Sequence, residues 1–249
     1  MADARVGIDI GGTGIKGALV DVSTGELVSK RTKIDTPRPA TPEAVLDVVA
    51  ALVDEIAPGH SPVGVTVPAV VRHGVVRTAA NIDPSWIGVD ADALMEERLG
   101  RPVHVLNDAD AAGYAEVMFG AARGRRGVVM VTTLGTGIGT ALVHDGVLVP
   151  NNELGHIEIG GRVAETFASN SAREREELSY PDWAERLTTY YRVLERLISP
   201  DLFVVGGGVS KSSDQFLHLI DIETEIVPAA LGNNAGIIGA ALLVGTGVE

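Results

Sequence analysis

The sequence predicts an α/β protein built from one repeated unit. Short apolar runs alternate with segments of helical periodicity along the 249 residues. The order strand, Gly/Thr turn, strand occurs twice, over residues 6–20 and again over 128–143. Each copy is followed by further helices and strands in alternation, which is the pattern of a duplicated α/β domain.

The elements follow in order. Residues 6–10 are an apolar run ending at Gly11-Gly12, the mark of a buried strand entering a tight turn. Residues 18–20 and 27–28 are the next strands, joined at Ser23-Thr24-Gly25. Thr41-Pro42-Glu43 opens a helix, with Thr41 as N-cap and Pro42 at the first helical position. Its apolar residues Val45, Leu46, Val49, Leu52, Val53 and Ile56 recur at helical spacing, and Pro58-Gly59 ends it. Residues 63–67 form a strand stopped by Pro68, 92–99 a helix closed by Gly100, and 103–106 a strand. Asp108 starts a helix that runs to Met118. The second hairpin occupies 127–143. Beyond it come a charged helical piece at 172–178, a longer helix at 181–198 and a strand at 202–205 leading into Gly206-Gly207-Gly208. A short strand at 226–227 and a small-residue-rich helix at 235–244 close the chain. The expected division is an N-terminal lobe of residues 1–107, joined by the closing helix, and a C-terminal lobe of 108–249.

Composition narrows the function. Thirty-three Asp and Glu against 20 Lys and Arg give a net charge of −13, which disfavours a nucleic-acid binder but leaves room for a local cationic groove. The absence of Cys removes disulfides, thiolate nucleophiles and Cys-ligated zinc. The first residues carry no apolar stretch of signal-peptide length, and no uncharged apolar run reaches membrane-spanning length. A cytoplasmic enzyme without membrane or nucleic-acid partners is the expectation.

Five motifs carry chemistry. Asp9-Ile10-Gly11-Gly12-Thr13-Gly14-Ile15-Lys16 places N–H groups, a hydroxyl and an ammonium around one turn, which suits an anion; Asp9 would hold Mg²⁺ through water. Gly135-Thr136-Gly137-Ile138-Gly139 repeats the turn without the charges. Either turn alone also fits a plain hairpin; the pair suggests a phosphate chain gripped twice. Gly206-Gly207-Gly208-Val209-Ser210-Lys211 lacks the spacing of a dinucleotide fingerprint, so hydride transfer is not supported. Asp108, in Asn107-Asp108-Ala109-Asp110, is either a helix cap or a base that accepts a hydroxyl proton, with Asn107 positioning the acceptor. Glu153-Leu154-Gly155-His156, with Glu165, fits a metal site or the vicinal hydroxyls of a sugar.

These residues, in this order, resemble the ROK sugar kinases (repressors, open reading frames, kinases). Asp9 to Lys16 matches the family's DxGGTxxK, Gly135 to Gly139 its second phosphate turn, Gly206 to Ser210 its nucleotide-side loop and Asn107-Asp108-Ala109 its catalytic segment. The resemblance runs from Val6 to Leu243. It is closer still to the polyphosphate glucokinases, through residues 70–86 (VVRHGVVRTAANIDPSW), Gly208-Val209-Ser210-Lys211, Val227-Pro228-Ala229-Ala230-Leu231 and Asn233-Asn234-Ala235-Gly236. Ala69 stands where that group has Gly.

The resemblance implies a duplicated actin-like (ribonuclease H-like) two-lobed fold, with a mixed sheet and flanking helices in each lobe. It implies phosphorylation of the 6-hydroxyl of glucose by inorganic polyphosphate, with ATP or GTP as further donors and Mg²⁺ as cofactor. An ATP-dependent hexokinase and a non-catalytic sugar sensor are the alternatives. Asp108 would be the base. Asn107, Glu153, His156, Glu165 and Asn81 would bind glucose. Asp9, Gly11, Gly12, Thr13, Gly14, Lys16, Gly135, Thr136, Gly137, Gly207, Gly208 and Lys211 would bind the donor, with Asp9 the metal carboxylate. No zinc is expected, because the family's Cys-rich loop after Gly155-His156 is missing. No DNA-binding segment precedes Val6, which sets the repressor branch aside. A homodimer is the expected assembly. Two basic clusters, Arg123, Arg125, Arg126 and Lys30, Arg31, Lys33, are candidates for a track along a long polyanion, although each also fits solvated surface charge.

Overall fold

A computed structural model describes residues 3–246 apart from Pro58, Ala80 and Asn81. Two compact units are present: Met1–Ala115 with Asn234–Glu249, and Glu116–Asn233. The first takes in the start of the helix at Asp108 as well as the closing helix, so its limit falls eight residues beyond the lobe boundary expected from sequence.

In the first unit, β1 (Ala4–Gly11) and β2 (Gly14–Asp21) form the first hairpin, followed by β3 (Glu26–Leu27) and β4 (Thr32–Ile34). Helix α1 (Pro42–Ile56), β5 (Val63–Val67), the small hairpin β6 (Val71–Arg72) and β7 (Val75–Val76), α2 (Ala91–Leu99), β8 (Val103–Asn107) and α3 (Asp108–Met118) come next. The sheet order is β3-β2-β1-β5-β8, with β4 also on β2. β1 pairs antiparallel with β2 and parallel with β5, so the sheet is mixed.

Local chemistry sets the helix ends. Thr41 accepts the Ala44 N–H at 3.4 Å and Pro42 occupies the first turn of α1, as the sequence predicts. Asp90 caps α2, and Gly100 ends it in the left-handed conformation. Val45, Val49, Leu52 and Val53 of α1 join Val6, Ile8, Val63 and Val65 in one core.

In the second unit, β9 (Val128–Leu134), β10 (Ile138–His144) and β11 (Val147–Val149) form the second hairpin and its extension. The small hairpin β12 (Glu158–Ile159) and β13 (Arg162–Val163) follows, then α4 (Glu165–Ala168), α5 (Asn170–Arg175), α6 (Tyr180–Ile198), β14 (Leu202–Gly206) and β15 (Ile226–Pro228). The order β11-β10-β9-β14-β15 reproduces that of the first unit. The internal repeat read from sequence is therefore a repeat of topology. Trp183, Leu187, Tyr191 and Leu194 of α6 pack with Met130, Phe203 and Val205 in a second core.

Helix α7 (Ala235–Leu243) belongs to the first unit and lies directly on β1 and β5. A Cβ on Gly7 would overlap the carbonyl of Ile237, and one on Gly64 the carbonyl of Ala240. Glycine at these strand positions lets the helix backbone approach the sheet closely. This seat brings the first turn of α7 to the end of β1, where Asp9 stands: a Cβ on Gly236 would lie 3.3 Å from the Asp9 Cγ. No helix among the described residues is long and apolar enough to cross a membrane.

Candidate active site

The first unit holds an ion pair at the mouth of its hairpin. Asp9 and Lys16 face each other across β1 and β2, one pair below Ile10 and Ile15. Their side chains meet at 3.1 Å. The other Asp9 oxygen accepts the Thr66 hydroxyl at 3.1 Å. Thr66 is fully buried in β5, beside Asp9 in the parallel register. It is a site residue that the motif reading missed; its only sequence signal is a hydroxyl inside the apolar run Val63-Gly64-Val65-Thr66-Val67. Gly12 and Thr13 are exposed at the tip, where their polar groups can meet a ligand. The Thr36 hydroxyl donates to the Gly11 carbonyl at 2.5 Å and pins the chain after β4 against the turn.

Asp108 stands at the first position of α3 and is half-buried. The cap of α3 is Asn107, not Asp108. The Asn107 Oδ1 accepts the N–H groups of Ala109 at 2.8 Å and Asp110 at 3.1 Å, and its Nδ2 donates to the Ala69 carbonyl at 3.1 Å. The amide is thereby fixed at both ends, and it fixes where α3 begins. Asp108 accepts the Ala109 N–H at 2.8 Å through Oδ1. A carboxylate at a helix start is also favoured by the macrodipole.

A cavity of about 260 Å³ opens on the first turn. Gly11, Gly12, Thr36, Arg38, Pro68 and Asp83 are among its walls. Asn81 lies outside the described residues.

The second unit holds the acid and imidazole cluster. The His156 Nδ1 is 3.4 Å from Glu153, and its Nε2 is 3.4 Å from Glu165. The imidazole is thus held between two carboxylates. Glu165 also accepts the Ile138 N–H at 3.2 Å, just past the second turn. Gly137 makes room for this, since a Cβ there would overlap the Glu165 carboxylate. The Thr140 hydroxyl bridges the Asn152 carbonyl and the Leu154 N–H, at 2.5 and 3.1 Å, which ties the Glu153 segment to β10. Burial pushes the Glu153 carboxyl up, and Glu165 adds to this while His156 opposes it. Among the described residues no group of three His, Cys, Asp or Glu side chains is arranged to hold a metal ion.

The second turn, Gly135 to Gly137, carries no lysine; Thr136 is exposed and the Gly135 N–H is spent on the Gly137 carbonyl at 3.0 Å. Gly207 presses on the backbone of Leu134, and Gly208 begins a 3-10 segment, Gly208–Gln215, that carries Lys211 on the surface. The Arg123, Arg125, Arg126 cluster is exposed, and Arg125 is paired with Glu225 at 2.6 Å. In the first unit Arg31 donates to Asn234 at 3.0 Å and Lys33 pairs with Asp35 at 3.2 Å.

A repeated mixed sheet with a charged Gly/Thr turn, and an Asp opening the helix after the last strand, define the actin-like class of phosphotransferases. The ROK family pattern matches residues 5–171, and the chain belongs to the ROK family. It is 50% identical over 237 residues to a polyphosphate glucokinase of Mycobacterium tuberculosis (strain CDC 1551 / Oshkosh), covering 95% of this chain and 89% of the relative. Among solved structures it is similar to an inorganic polyphosphate/ATP-glucomannokinase of Arthrobacter sp. strain KM: TM-score 0.92 and 53% identity, over 97% of this chain and 98% of that one. A ROK glucokinase of Streptomyces griseus, solved with glucose and AMPPNP, gives a TM-score of 0.83 at 27% identity, over 97% and 99% of the two chains.

Proposed function

We propose that this chain transfers a phosphoryl group from inorganic polyphosphate to the 6-hydroxyl of glucose. The observation that carries the reading is the likeness, at 50% and 53% identity over nearly the whole chain, to a polyphosphate glucokinase and a polyphosphate/ATP-glucomannokinase. The second of these also favours ATP as an additional donor and mannose as an additional acceptor.

The residues divide the work. Asp108 orients the attacking hydroxyl and takes its proton. Asn107 sets the position of Asp108 and offers its remaining amide hydrogen to the sugar. Glu153, His156 and Glu165 hydrogen-bond sugar hydroxyls, and a sugar lacking one of these hydroxyls leaves one of these groups without its partner. Asn81 is assigned to the same role by resemblance. Gly11, Gly12, Thr13, Gly14 and Lys16 hold the terminal phosphates, with Gly135, Thr136, Gly137, Gly207, Gly208 and Lys211 as further donor contacts. In a largely dissociative transfer, positioning and charge neutralisation outweigh base strength.

Mg²⁺ fits the first unit as an ion held mainly by phosphate oxygens and water, with Asp9 the single carboxylate that would hold it. That arrangement suits a carboxylate already bonded to Lys16 and Thr66. When bound, the ion neutralises phosphate charge. Cytoplasmic location and homodimeric assembly complete the reading by resemblance to the family.

The test is glucose 6-phosphate formation with glucose and Mg²⁺, supplied with polyphosphate or ATP. Faster turnover with polyphosphate supports the assignment. Turnover with ATP alone overturns the donor. Glucose binding without turnover returns the chain to the sensor class.

A further inference from the structure

We infer that Lys33 forms an outer phosphate subsite, one strand beyond Lys16, that takes a successive unit of an extended polyphosphate donor. The inference rests on the polyphosphate reading above and states where that donor runs.

The register carries it. Lys33 of β4 is directly opposite Lys16 of β2, Lys16 is opposite Asp9 of β1, and Asp9 is beside Thr66 of β5. Cross-strand partners project to the same face of a sheet. The four side chains therefore form one transverse row: ammonium, ammonium, carboxylate, hydroxyl. Like charges directly opposite each other destabilise a sheet. Here the one carboxylate in the row is matched to Lys16, and the carboxylate near Lys33 is Asp35, a surface side chain that is 90% exposed. The chain carries a net charge of −13, so two facing lysines at this place are a local departure from its overall sign.

Both ammonium groups also crowd the same turn. Gly11 and Gly14 are partners at its neck. A Cβ on Gly11 would lie 4.0 Å from the Lys16 Nζ, and a Cβ on Gly14 would lie 3.1 Å from the Lys33 Nζ and overlap its Cε. Glycine at 14 is what lets the Lys33 stem lie across the turn. Neighbouring strands are about 4.8 Å apart, so the two charges suit adjacent phosphates of one chain rather than a single phosphate. Arg31 lies two residues before Lys33 and is steadied by Asn234 at 3.0 Å, which continues positive charge along the same edge.

The experiment measures Michaelis constants for long-chain polyphosphate and for ATP, in the unmodified chain and in Lys33→Ala, Lys33→Arg and Arg98→Ala. Arg98 is a half-exposed cation on α2 and controls for the loss of one charge. The expected result is a rise of about tenfold in the polyphosphate constant for Lys33→Ala, the scale of one charge-assisted contact. Turnover number and the ATP constant should stay within about twofold, and Lys33→Arg should recover most of the loss. An unchanged polyphosphate constant in Lys33→Ala, or an equal rise in Arg98→Ala, overturns the subsite while leaving the donor assignment intact. Equal rises for polyphosphate and ATP also overturn it, since the contact would then serve any triphosphate. If the unmodified chain turns over ATP but not polyphosphate, the donor assignment fails and the subsite fails with it.

Discussion

In the first hairpin the pair below Ile10 and Ile15 is Asp9 and Lys16; in the second, the pair below Leu134 and Ile138 is Thr133 and Gly139. The two hairpins occupy the same place in sheets of the same order. One turn is lined with charge and fastened by Thr66. The other is uncharged and has a carboxylate, Glu165, folded against it. On the proposed function, the charged turn of the first copy is the main grip on the donor, and the acid–imidazole cluster beside the second turn supplies most of the hydrogen bonds to the sugar. The shared backbone supplies the place, and the side chains beside each turn differ in charge.

The largest effect expected of any single change is at Asp108, in the charged half. Asp108→Asn keeps the start of α3, because Asn107 is the cap. Turnover should fall by about 10²- to 10⁴-fold with either donor, the range for a general base. Initial rates and the far-ultraviolet spectrum check it; a folded variant with near-normal turnover would remove the base from the account.

The second change sharpens the uncharged half. Gly137→Ala puts a methyl group where the Glu165 carboxylate lies. Glu165 must move away from His156 and from the Ile138 N–H. The glucose Michaelis constant should rise by about tenfold or more, the scale of one or two lost hydrogen bonds. The polyphosphate constant should rise by less, since Gly137 is only one of several proposed donor contacts. Gly12→Ala, where a Cβ meets no atom within 4 Å, should leave the glucose constant unaltered.

The smallest effect is a pH dependence. Burial raises the Glu153 carboxyl in the folded chain above its usual value of 4.5. The folded state therefore binds that proton more tightly than the unfolded state. The stability linked to it is complete below 4.5 and is lost as pH rises through the raised value. Relative to Glu153→Gln, the unmodified chain should lose stability from about pH 4.5 upward and then level off. Denaturant titrations of both proteins across the acid range measure this; a gap that does not change with pH would contradict it.

Most of the fold was legible because its signals are local. Thr41-Pro42 marked the start of α1, Gly100 the end of α2, and the two Gly/Thr turns marked the repeat. The short strand β4 was not foreseen. Three residues carry too little periodicity to read, yet β4 places Lys33 against Lys16. Lys33 was visible as part of a charge cluster, but its meaning depends on register, which no local pattern states. Thr66 and the Asn107 cap were hidden for a similar reason. A hydroxyl in a strand and an amide before an Asp gain their roles from partners on other strands, Asp9 and Ala69. The 3-10 segment after Gly207 was also missed, since the three glycines give a turn signal and no helical one. Arg125 read as part of a basic patch; its partner Glu225 stands 100 residues away in sequence.

The central claim is that the charged hairpin serves the donor and the acid–imidazole cluster serves the sugar. Steady-state kinetics of Lys16→Ala and Glu165→Gln, varying polyphosphate and glucose in turn, test it most directly. The account predicts a split. Lys16→Ala should raise the polyphosphate constant by about tenfold or more with the glucose constant within about twofold, and Glu165→Gln should do the reverse. If both variants raise the same constant, the division of labour between the charged hairpin and the acid–imidazole cluster is wrong.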